Sequence, residues 1–352
     1  MNNADFYYDE NFRTELSKRI KKRELYASMV LACVLVLCTY IGAVAVYYVG
    51  AYAAMLFPFL SNGIYYDILD LSAYFLQMLL PIILYLLISK KKLSNIFTLK
   101  GEQGENLGDE KITGVRVALY TVIAFSLSQV VSYLSTYVSV FISLITSSFS
   151  KELVLSPEAF ELPVPVTPFE LDFDIFAVAI IPAILEELLF RGVLLSHFIK
   201  YGKTFAVVAS AFFFASAHGS IEQMMYSFVY GLVFGYVAVK TGSLTVGIIM
   251  HFLNNAYSCV VEYLGTVFDT VLYWDIIGAI NFCLIFIGLI AIVVGIIKSE
   301  AVYRGSRADA DNSGELSAAE KFSGFTSPVM LIYYALILFE TFYTYFSYNL
   351  TL

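Results

Sequence analysis

Three short polar motifs lie within apolar stretches that are long enough to cross a membrane. They are Glu186-Glu187-x-x-x-Arg191, Phe214-x-x-x-His218 and His251-x-x-x-Asn255. An ionisable side chain in the hydrocarbon core is costly unless it is paired, so such residues mark a functional site by default. The chain has only three histidines, and two of them belong to these motifs. The motifs therefore define a candidate site at membrane depth.

An acid, two imidazoles and a carboxamide together suit the hydrolysis of an amide bond. Water must lose a proton to a base, and Glu186 is the candidate base, with His218 sharing the task. The oxyanion of the tetrahedral intermediate needs hydrogen-bond donors, which His251 and Asn255 can supply. Zinc stays open as an alternative, because Glu186, His218 and His251 match a known catalytic zinc shell. No H-E-x-x-H helix is present, so a metal would need ligands from separate spans.

The remaining motif residues favour supporting roles. Glu187 and Arg191 are spaced i, i+4 with the acid first, the favourable order for a helical ion pair. Glu186 points about 100° away around the helix, so it is available to another partner. Phe214 lies one turn before His218 on the same helical face. Pro182, four residues before Glu186, removes a backbone hydrogen bond and predicts a kink in this span.

The composition is that of a membrane protein. Of the 352 residues, 59% are hydrophobic and only 14% are charged, and the mean hydropathy is +0.75. We predict an all-α polytopic protein, a bundle of about eight to nine transmembrane helices with a polar intramembrane cavity. The few basic residues lack aromatic interleaving, so no nucleic-acid partner is expected. The four cysteines lack C-x-x-C spacing, which argues against a disulfide framework or a thiolate zinc site.

Hydropathy and basic residues together predict the topology. If the N-terminus is cytoplasmic, the basic residues at 13–23, 90–116, 200–203, 240 and 298–321 all fall on the cytoplasmic side. Lys151 is then the single basic residue in an outside loop, and Arg191 lies within a span. The C-terminus is then outside. The expected location is a bacterial plasma membrane. The predicted spans lie near 26–50, 70–89, 117–142, 174–198, 204–220, 224–240, 243–263, 276–297 and 328–350.

Four regions follow from this topology. Residues 1–150 form an N-terminal cytoplasmic segment with accessory transmembrane helices, and 151–173, with four prolines, form an outside connecting segment. Residues 174–263 carry the motifs and form the predicted catalytic core. Residues 264–352 supply C-terminal transmembrane helices with a polar loop near 299–327. Within the core, Gly231-x-x-x-Gly235 predicts close helix packing.

The motifs resemble those of the CAAX prenyl protease and bacteriocin-processing family (CPBP, or Abi) of intramembrane proteases, which includes type II CAAX prenyl endopeptidases. The resemblance covers about residues 174–263. It implies an all-helical bundle with a conical cavity opening toward the cytosol, and cleavage of a membrane-associated peptide or of a protein near its C-terminus. The matching text is Glu186-Glu187-Leu-Leu-Phe-Arg191-Gly192, Phe214-Ala-Ser-Ala-His218, Lys240-Thr-Gly-Ser-Leu and His251-Phe-Leu-Asn-Asn255.

The resemblance also implies roles and partners. Glu186 and His218 would activate water, His251 and Asn255 would form the oxyanion hole, and a Glu187–Arg191 pair would support the site. The family has been described both as zinc and as glutamate proteases, and the lack of a compact metal motif favours the metal-independent mechanism. Membrane lipid and a peptide or lipidated-protein substrate are the expected partners. The alternative is a non-proteolytic membrane protein, such as an immunity factor, scaffold or transporter, with a structural polar network.

A second candidate site lies in the 299–327 loop. Its residues resemble an EF-hand calcium loop, with oxygen-bearing side chains, a glycine and a final glutamate at the required positions. Serine at the fifth position departs from the stricter pattern, and Gly324 and Pro328 would shorten the exit helix. The alternative is an ordinary solvated loop. The candidate ligands are Asp309, Asp311, Ser313, Glu315 and Glu320.

Overall fold

The computed structural model describes residues 3–57, 63–99, 107–108, 113–149, 165–268, 270–303 and 316–350. These residues are almost entirely helical, with one isolated antiparallel bridge between Thr98 and Ser243. The all-α membrane class predicted from composition is confirmed. A helix satisfies its own backbone hydrogen bonds, which is why long apolar segments adopt it in lipid. The α-helices are α1 (Asn3–Leu56), α2 (Gly63–Ser89), α3 (Gly114–Phe149), α4 (Pro168–Asp174), α5 (Ile181–Glu187), α6 (Ser196–Phe198), α7 (Lys203–Ser216), α8 (Ile221–Thr241), α9 (Thr245–Val267), α10 (Thr270–Tyr303), α11 (Ala318–Phe322) and α12 (Pro328–Leu350).

Fewer helices than predicted pass a strict test for a membrane span. Five described helices are long and apolar enough, and a sixth span results if one pair of helices bent by 49° is counted as one. The predicted spans near 174–198, 204–220 and 243–263 do not pass. These three segments carry the motifs. The first has an irregular backbone, the second is a helix of only 14 residues, and the third, α9, contains polar residues. The five helices that pass the test are Phe12–Leu56, Asp67–Ser89, Gly114–Val138, Gln223–Thr241 and Thr270–Val294.

The first motif lies on a segment that alternates between α and π turns. After α4, residues Ile175–Ile180 form a π-helix, and a second one, Leu188–Leu195, follows α5. Pro182 has no N–H and cannot bond to the carbonyl of Val178, four residues earlier. The π-helix Ile175–Ile180 ends just before Pro182, where the sequence predicts a kink. The Val178 carbonyl accepts a side-chain hydrogen bond from α9 instead.

The two glycines of α8 allow the close packing predicted for them. A Cβ at Gly231 would lie 2.8 Å from Cα of Ala211, and one at Gly235 would lie 3.2 Å from Cγ1 of Val207. Both contacts are with α7, and their order along the chain shows that α7 and α8 are antiparallel. The packing function of the glycine pair is confirmed, and it brings the second motif, at the end of α7, beside α8.

The helical bundle has a basic end. Lys203 begins α7 and Lys240 lies in the last turn of its antiparallel partner α8. Lys321 lies close to Gly202. Apart from Arg191, every lysine and arginine whose side chain the structure describes lies at this end. They are Arg13, Lys18, Arg19, Lys21, Lys22, Arg23, Lys90, Lys91, Lys92, Arg116, Lys200, Lys203, Lys240 and Lys321.

The opposite end of the bundle is acidic. It comprises the start of α2, the α4 region, the end of α9 and the start of α10. Glu170 belongs to a capping box with Thr167 at the start of α4, which stabilises the beginning of this segment. The described carboxylates at this end are Asp67, Asp70, Glu170, Asp172, Asp174, Glu262 and Asp275.

A short segment closes the basic end of the motif-bearing helices. We call residues 93–99 with 107–108 the cap segment. Its Leu99 N–H donates at 3.2 Å to the carbonyl of Gly242, which lies in the turn between α8 and α9. The N–H of Leu107 donates at 3.3 Å to the carbonyl of Leu99. The side chains of Ile96 and Leu99 are fully buried. The cap segment is therefore part of the core rather than a loose loop.

The predicted calcium loop falls largely outside the described residues, which resume at 316. Of its candidate ligands, the structure describes Glu320. Its Oε2 accepts the backbone N–H of Ser317 at 2.8 Å, and Ser317 Oγ accepts the N–H of Glu320 at 3.3 Å. This capping box begins α11. Asp309, Asp311, Ser313 and Glu315 lie outside the described residues.

Candidate active site

A polar cavity of about 390 Å³ lies between α3, α5, α8 and α9. It extends from the buried side chains of Phe234 and His251 to the exposed Gln223 and Glu262. It brings Glu186, Phe214, His218, His251 and Asn255 of the three motifs together, whereas the ion-paired Glu187 and Arg191 lie outside its lining. The lining residues are Ser128, Gln129, Ser132, Val178, Glu186, Phe214, His218, Gln223, Tyr226, Ser227, Tyr230, Phe234, His251, Asn254, Asn255, Ser258 and Glu262.

The two carboxylate oxygens of Glu186 lie in different surroundings. The hydroxyl of Tyr74, on α2, donates to Oε1 at 2.5 Å. Oε2 lies 3.6 Å from Nε2 of His251, a separation too long for a direct hydrogen bond. The side chain is buried but borders the cavity. One carboxylate oxygen is thus held in place, and the other stays accessible to a small molecule in the cavity.

Glu187 and Arg191 form the ion pair predicted from their spacing. Arg191 Nη1 donates to Glu187 Oε1 at 2.7 Å, and both side chains are completely buried. Arg191 Nη2 also donates to the carbonyl of Gly231 at 3.4 Å. The guanidinium lies 4.4 Å from the ring centre of Phe214 and 5.3 Å from that of Phe234. These cation–π contacts replace part of the hydration that burial removes.

His251 connects the two glutamates. Its Nδ1 lies 3.3 Å from Glu187 Oε1, while Nε2 faces Glu186. Within the described chain, Glu187 Oε2 and Arg191 Nε have no hydrogen-bond partner. A Cβ at Gly247 would lie 2.8 Å from Glu187 Oε2. The cluster is therefore tightly packed as well as charged, and α9 fits against Glu187 because residue 247 has no side chain.

His218 follows the last turn of α7. Its Nδ1 lies 2.8 Å from the carbonyl oxygen of Phe214. A carbonyl only accepts hydrogen bonds, so Nδ1 carries the proton and Nε2 of the neutral ring is an acceptor. His218 lies within electrostatic range of Glu186, and both border the cavity. The Phe214 ring packs edge-on against His218, with ring centres 4.8 Å apart, which orients the imidazole.

Asn255 is held by hydrogen bonds on both sides of its amide. Its Nδ2 donates to the carbonyl of Val178 at 3.0 Å, and its Oδ1 accepts from Asn254 Nδ2 at 3.0 Å. Asn254 Oδ1 in turn contacts the hydroxyl of Tyr230, which lies 2.7 Å from Ser128 Oγ. Because an amide nitrogen has two hydrogens, Asn255 keeps one N–H for another acceptor.

Sequence reasoning did not identify several of the residues that make these contacts. Tyr74, Tyr230 and Ser128 lie on helices without a motif, and tyrosine is frequent in this chain, with 27 residues. Nothing in their spacing distinguishes them. Asn254 offered a signal, because it adjoins the motif residue Asn255 and a second amide at membrane depth needs a partner.

The zinc alternative stays a prediction. Within the described part of the chain, no group of three or more His, Cys, Asp or Glu side chains could hold a metal ion. Glu186, His218 and His251 border the same cavity, with His218 Nδ1 toward the Phe214 carbonyl and the two nitrogens of His251 toward Glu187 and Glu186.

Residues 168–257 match the family model described as Rce1-like, type II CAAX prenyl endopeptidase Rce1-like. This match confirms the resemblance predicted from the motifs, and it contains all three of them. It spans about a quarter of the chain and leaves out Tyr74, α3 and the cap segment. No curated protein matches the chain, and no solved structure matches it.

Proposed function

We propose that this chain, with its Rce1-like core, is an intramembrane endopeptidase that hydrolyses a peptide bond with water activated by Glu186. The observation that carries the proposal is the environment of the Glu186 carboxylate. It is buried at the wall of a polar cavity, anchored through Oε1 by Tyr74 and unbonded at Oε2. A general base needs this combination of fixed position and a free lone pair.

In the proposed reaction, a water molecule binds between Glu186 Oε2 and His218 Nε2. Glu186 takes one proton as the water oxygen bonds to the peptide carbonyl carbon, and the carbonyl π electrons move onto its oxygen. His218 accepts the second hydrogen bond of the water and orients it. The neutral tautomer imposed by the Phe214 carbonyl suits that function, because Nε2 is then an acceptor.

The tetrahedral oxyanion would be stabilised by His251 and Asn255. His251 lies between the two buried glutamates, with Nδ1 toward Glu187 Oε1 and Nε2 toward the cavity side of Glu186. An N–H at Nε2 would be the donor that this residue contributes. Asn255 contributes the N–H that its bond to Val178 leaves unused. Donors fixed before the reaction lower the barrier because they need no reorganisation.

Collapse of the intermediate completes the cleavage. The proton held by Glu186 passes to the amide nitrogen, the C–N bond breaks with its electron pair on nitrogen, and the carbonyl reforms as an acid. Glu187 and Arg191 act as positioning residues, since they hold His251 Nδ1 and contact the Phe214 ring.

The proposal is tested with Glu186→Gln, which keeps the shape of the side chain and removes the base. New peptide termini are measured by mass spectrometry in membranes carrying the wild-type protein, Glu186→Gln or Glu24→Gln. Glu24 is an exposed glutamate at the basic end and serves as the control. We expect the new termini with wild type and Glu24→Gln and their loss with Glu186→Gln. The same termini with Glu186→Gln would show that the polar network is structural.

A further inference from the structure

A chain of hydrogen bonds connects the candidate oxyanion donor Asn255 to α3. Nδ2 of Asn255 donates to the carbonyl of Val178, and Oδ1 of Asn255 accepts from Nδ2 of Asn254, both at 3.0 Å. Oδ1 of Asn254 meets the hydroxyl of Tyr230, on α8, and that hydroxyl lies 2.7 Å from Oγ of Ser128, on α3. All of these residues line the cavity. The chain of hydrogen bonds thus joins α3, α8, α9 and the π-helix before α5.

The Val178 carbonyl fixes the direction of these hydrogen bonds. A carbonyl only accepts, so Asn255 must turn its amide nitrogen toward Val178 and its amide oxygen toward Asn254. Asn254 then has its nitrogen toward Asn255 and its oxygen toward Tyr230. The single hydroxyl hydrogen of Tyr230 is therefore donated to Asn254. Turning either amide over would place two oxygen acceptors in contact.

Pro182 makes the Val178 carbonyl available to a side chain. A proline has no N–H, so the carbonyl four residues earlier loses its usual α-helical donor. At membrane depth a backbone carbonyl needs a partner from the protein itself, and Asn255 supplies one. The irregular backbone of the first motif is thus the reason why the chain of hydrogen bonds has a defined starting point.

Ser128 supplies a hydrogen at the other end of the chain. Since Tyr230 donates its own hydrogen to Asn254, the 2.7 Å contact between Tyr230 and Ser128 is a hydrogen bond only if the serine donates. The carbonyl of Phe125 lies 2.8 Å from the same Oγ and is a second acceptor for that hydrogen. The support that Ser128 gives to Tyr230 is therefore shared, whereas Tyr230 donates to Asn254 alone.

We infer that Tyr230 is a positioning residue for the oxyanion donor and acts on Asn255 through Asn254. The hydrogen bonds to Val178 and from Asn254 hold both ends of the Asn255 amide, so the direction of its remaining N–H is fixed. A catalytic group must be held within about 0.5 Å of its productive position, which requires supporting hydrogen bonds of this kind. The inference rests on the proposed peptidase function. It extends the functional site to α3, which precedes the matched residues 168–257.

The inference is tested by a double-mutant cycle on the full-length protein in liposomes. We measure kcat and KM of peptide cleavage for wild type, Tyr230→Phe, Asn255→Ala and the double variant. Tyr230→Phe should lower kcat about tenfold or more with little change in KM, because small displacements of a catalytic group are costly. In the Asn255→Ala background the same change should lower kcat less than about twofold, because residues that act through one another are not additive.

Tyr257→Phe is the matched control. The Tyr257 hydroxyl donates at 2.6 Å to Oδ1 of Asn281, a bond of the same kind, and the described lining of the cavity contains neither residue. This variant should leave kcat unchanged. Ser128→Ala should lower kcat less than Tyr230→Phe does. Thermal unfolding in detergent shows which variants are folded, and if Tyr230→Phe is not, Asn254→Ala removes the same link and takes its place in the cycle.

The outcomes separate the positioning function from the peptidase itself. Equal losses of kcat in both backgrounds would show that Tyr230 does not act through Asn255, and would overturn the inference while leaving the peptidase intact. The same conclusion follows if Tyr230→Phe keeps its full kcat in an enzyme that Glu186→Gln inactivates, or if Ser128→Ala loses more than Tyr230→Phe. If wild type and Glu186→Gln are indistinguishable, the peptidase function and the inference fail together.

Discussion

The hydroxyl of Tyr74 donates a 2.5 Å hydrogen bond to Oε1 of Glu186 and so joins α2 to the motif-bearing segment. Tyr74 precedes the matched family segment by nearly a hundred residues, and yet it contacts the proposed base. An N-terminal helix is therefore part of the candidate site, since its Tyr74 holds one carboxylate oxygen of Glu186.

Tyr74→Phe should lower kcat about tenfold or more, because a hydrogen bond to a charged group contributes about 1.5–3 kcal/mol. KM should change little, since Tyr74 does not line the cavity. Steady-state kinetics on a cleaved peptide provide the measurement. Tyr65→Phe is the control, because it removes a hydrogen bond from the same helix to the carbonyl of Gly50. An equal loss in both variants would point to a general effect on α2.

Arg191→Ala should destabilise the protein by about 3–5 kcal/mol, because it leaves the buried Glu187 carboxylate without its cation. Thermal unfolding in detergent measures the change. The control is Arg19→Ala, which breaks an exposed pair with Glu15 at 3.6 Å; such pairs contribute at most about 1 kcal/mol. Comparable unfolding temperatures for the two variants would contradict the ion pair described above.

Gly247→Ala should impair both folding and activity. The added Cβ would lie 2.8 Å from Glu187 Oε2 and force the carboxylate or α9 to move. Overpacking of this kind costs about 1–3 kcal/mol. Gly265→Ala, on the same helix, is the matched control because its Cβ would meet Tyr273 at an ordinary 3.4 Å. The proposal of a tightly packed cluster fails if both alanines are equally tolerated in unfolding and kinetic assays.

Asn255→Ala should reduce kcat about 10²–10³-fold, the usual effect of removing an oxyanion donor. The loss should appear in kcat rather than KM, because the donor acts on charge that develops in the transition state. Asn281→Ala removes another membrane amide, bonded to Tyr257, and should retain activity. If Asn255→Ala changed KM and left kcat normal, the result would indicate that Asn255 binds substrate and does not stabilise the oxyanion.

The charged part of the site could be predicted because polar groups at membrane depth are rare. The i, i+4 spacing of Glu187 and Arg191 was enough to predict their ion pair. The presence of both Glu186 and His251 at membrane depth predicted that they share one cavity. Helical periodicity also explains why α7 and α8 pack through Gly231 and Gly235.

The remaining features depend on tertiary contacts that leave no local pattern. Tyr74 has no signal distinguishing it from many other tyrosines, and its function arises from the packing of α2 against α5. The two π-helices that flank α5 were not predicted, because an apolar segment of the same composition can form either a π-helix or an α-helix. Fewer of the described helices pass a strict span test than hydropathy alone predicted, because hydropathy windows do not detect a short α7 or a backbone that changes pitch near Pro182.

The cap segment has a consequence for the electrical insulation of the membrane. A polar cavity admits water and shortens the path over which the transmembrane potential falls, and an elementary charge crossing 100 mV releases about 2.3 kcal/mol. An unobstructed cavity would let protons flow down that gradient. Ile96 and Leu99 are fully buried at the α8–α9 turn, so apolar side chains close this end of the bundle. Such a closure would let a polar cavity open to one side of the membrane while the membrane keeps its potential.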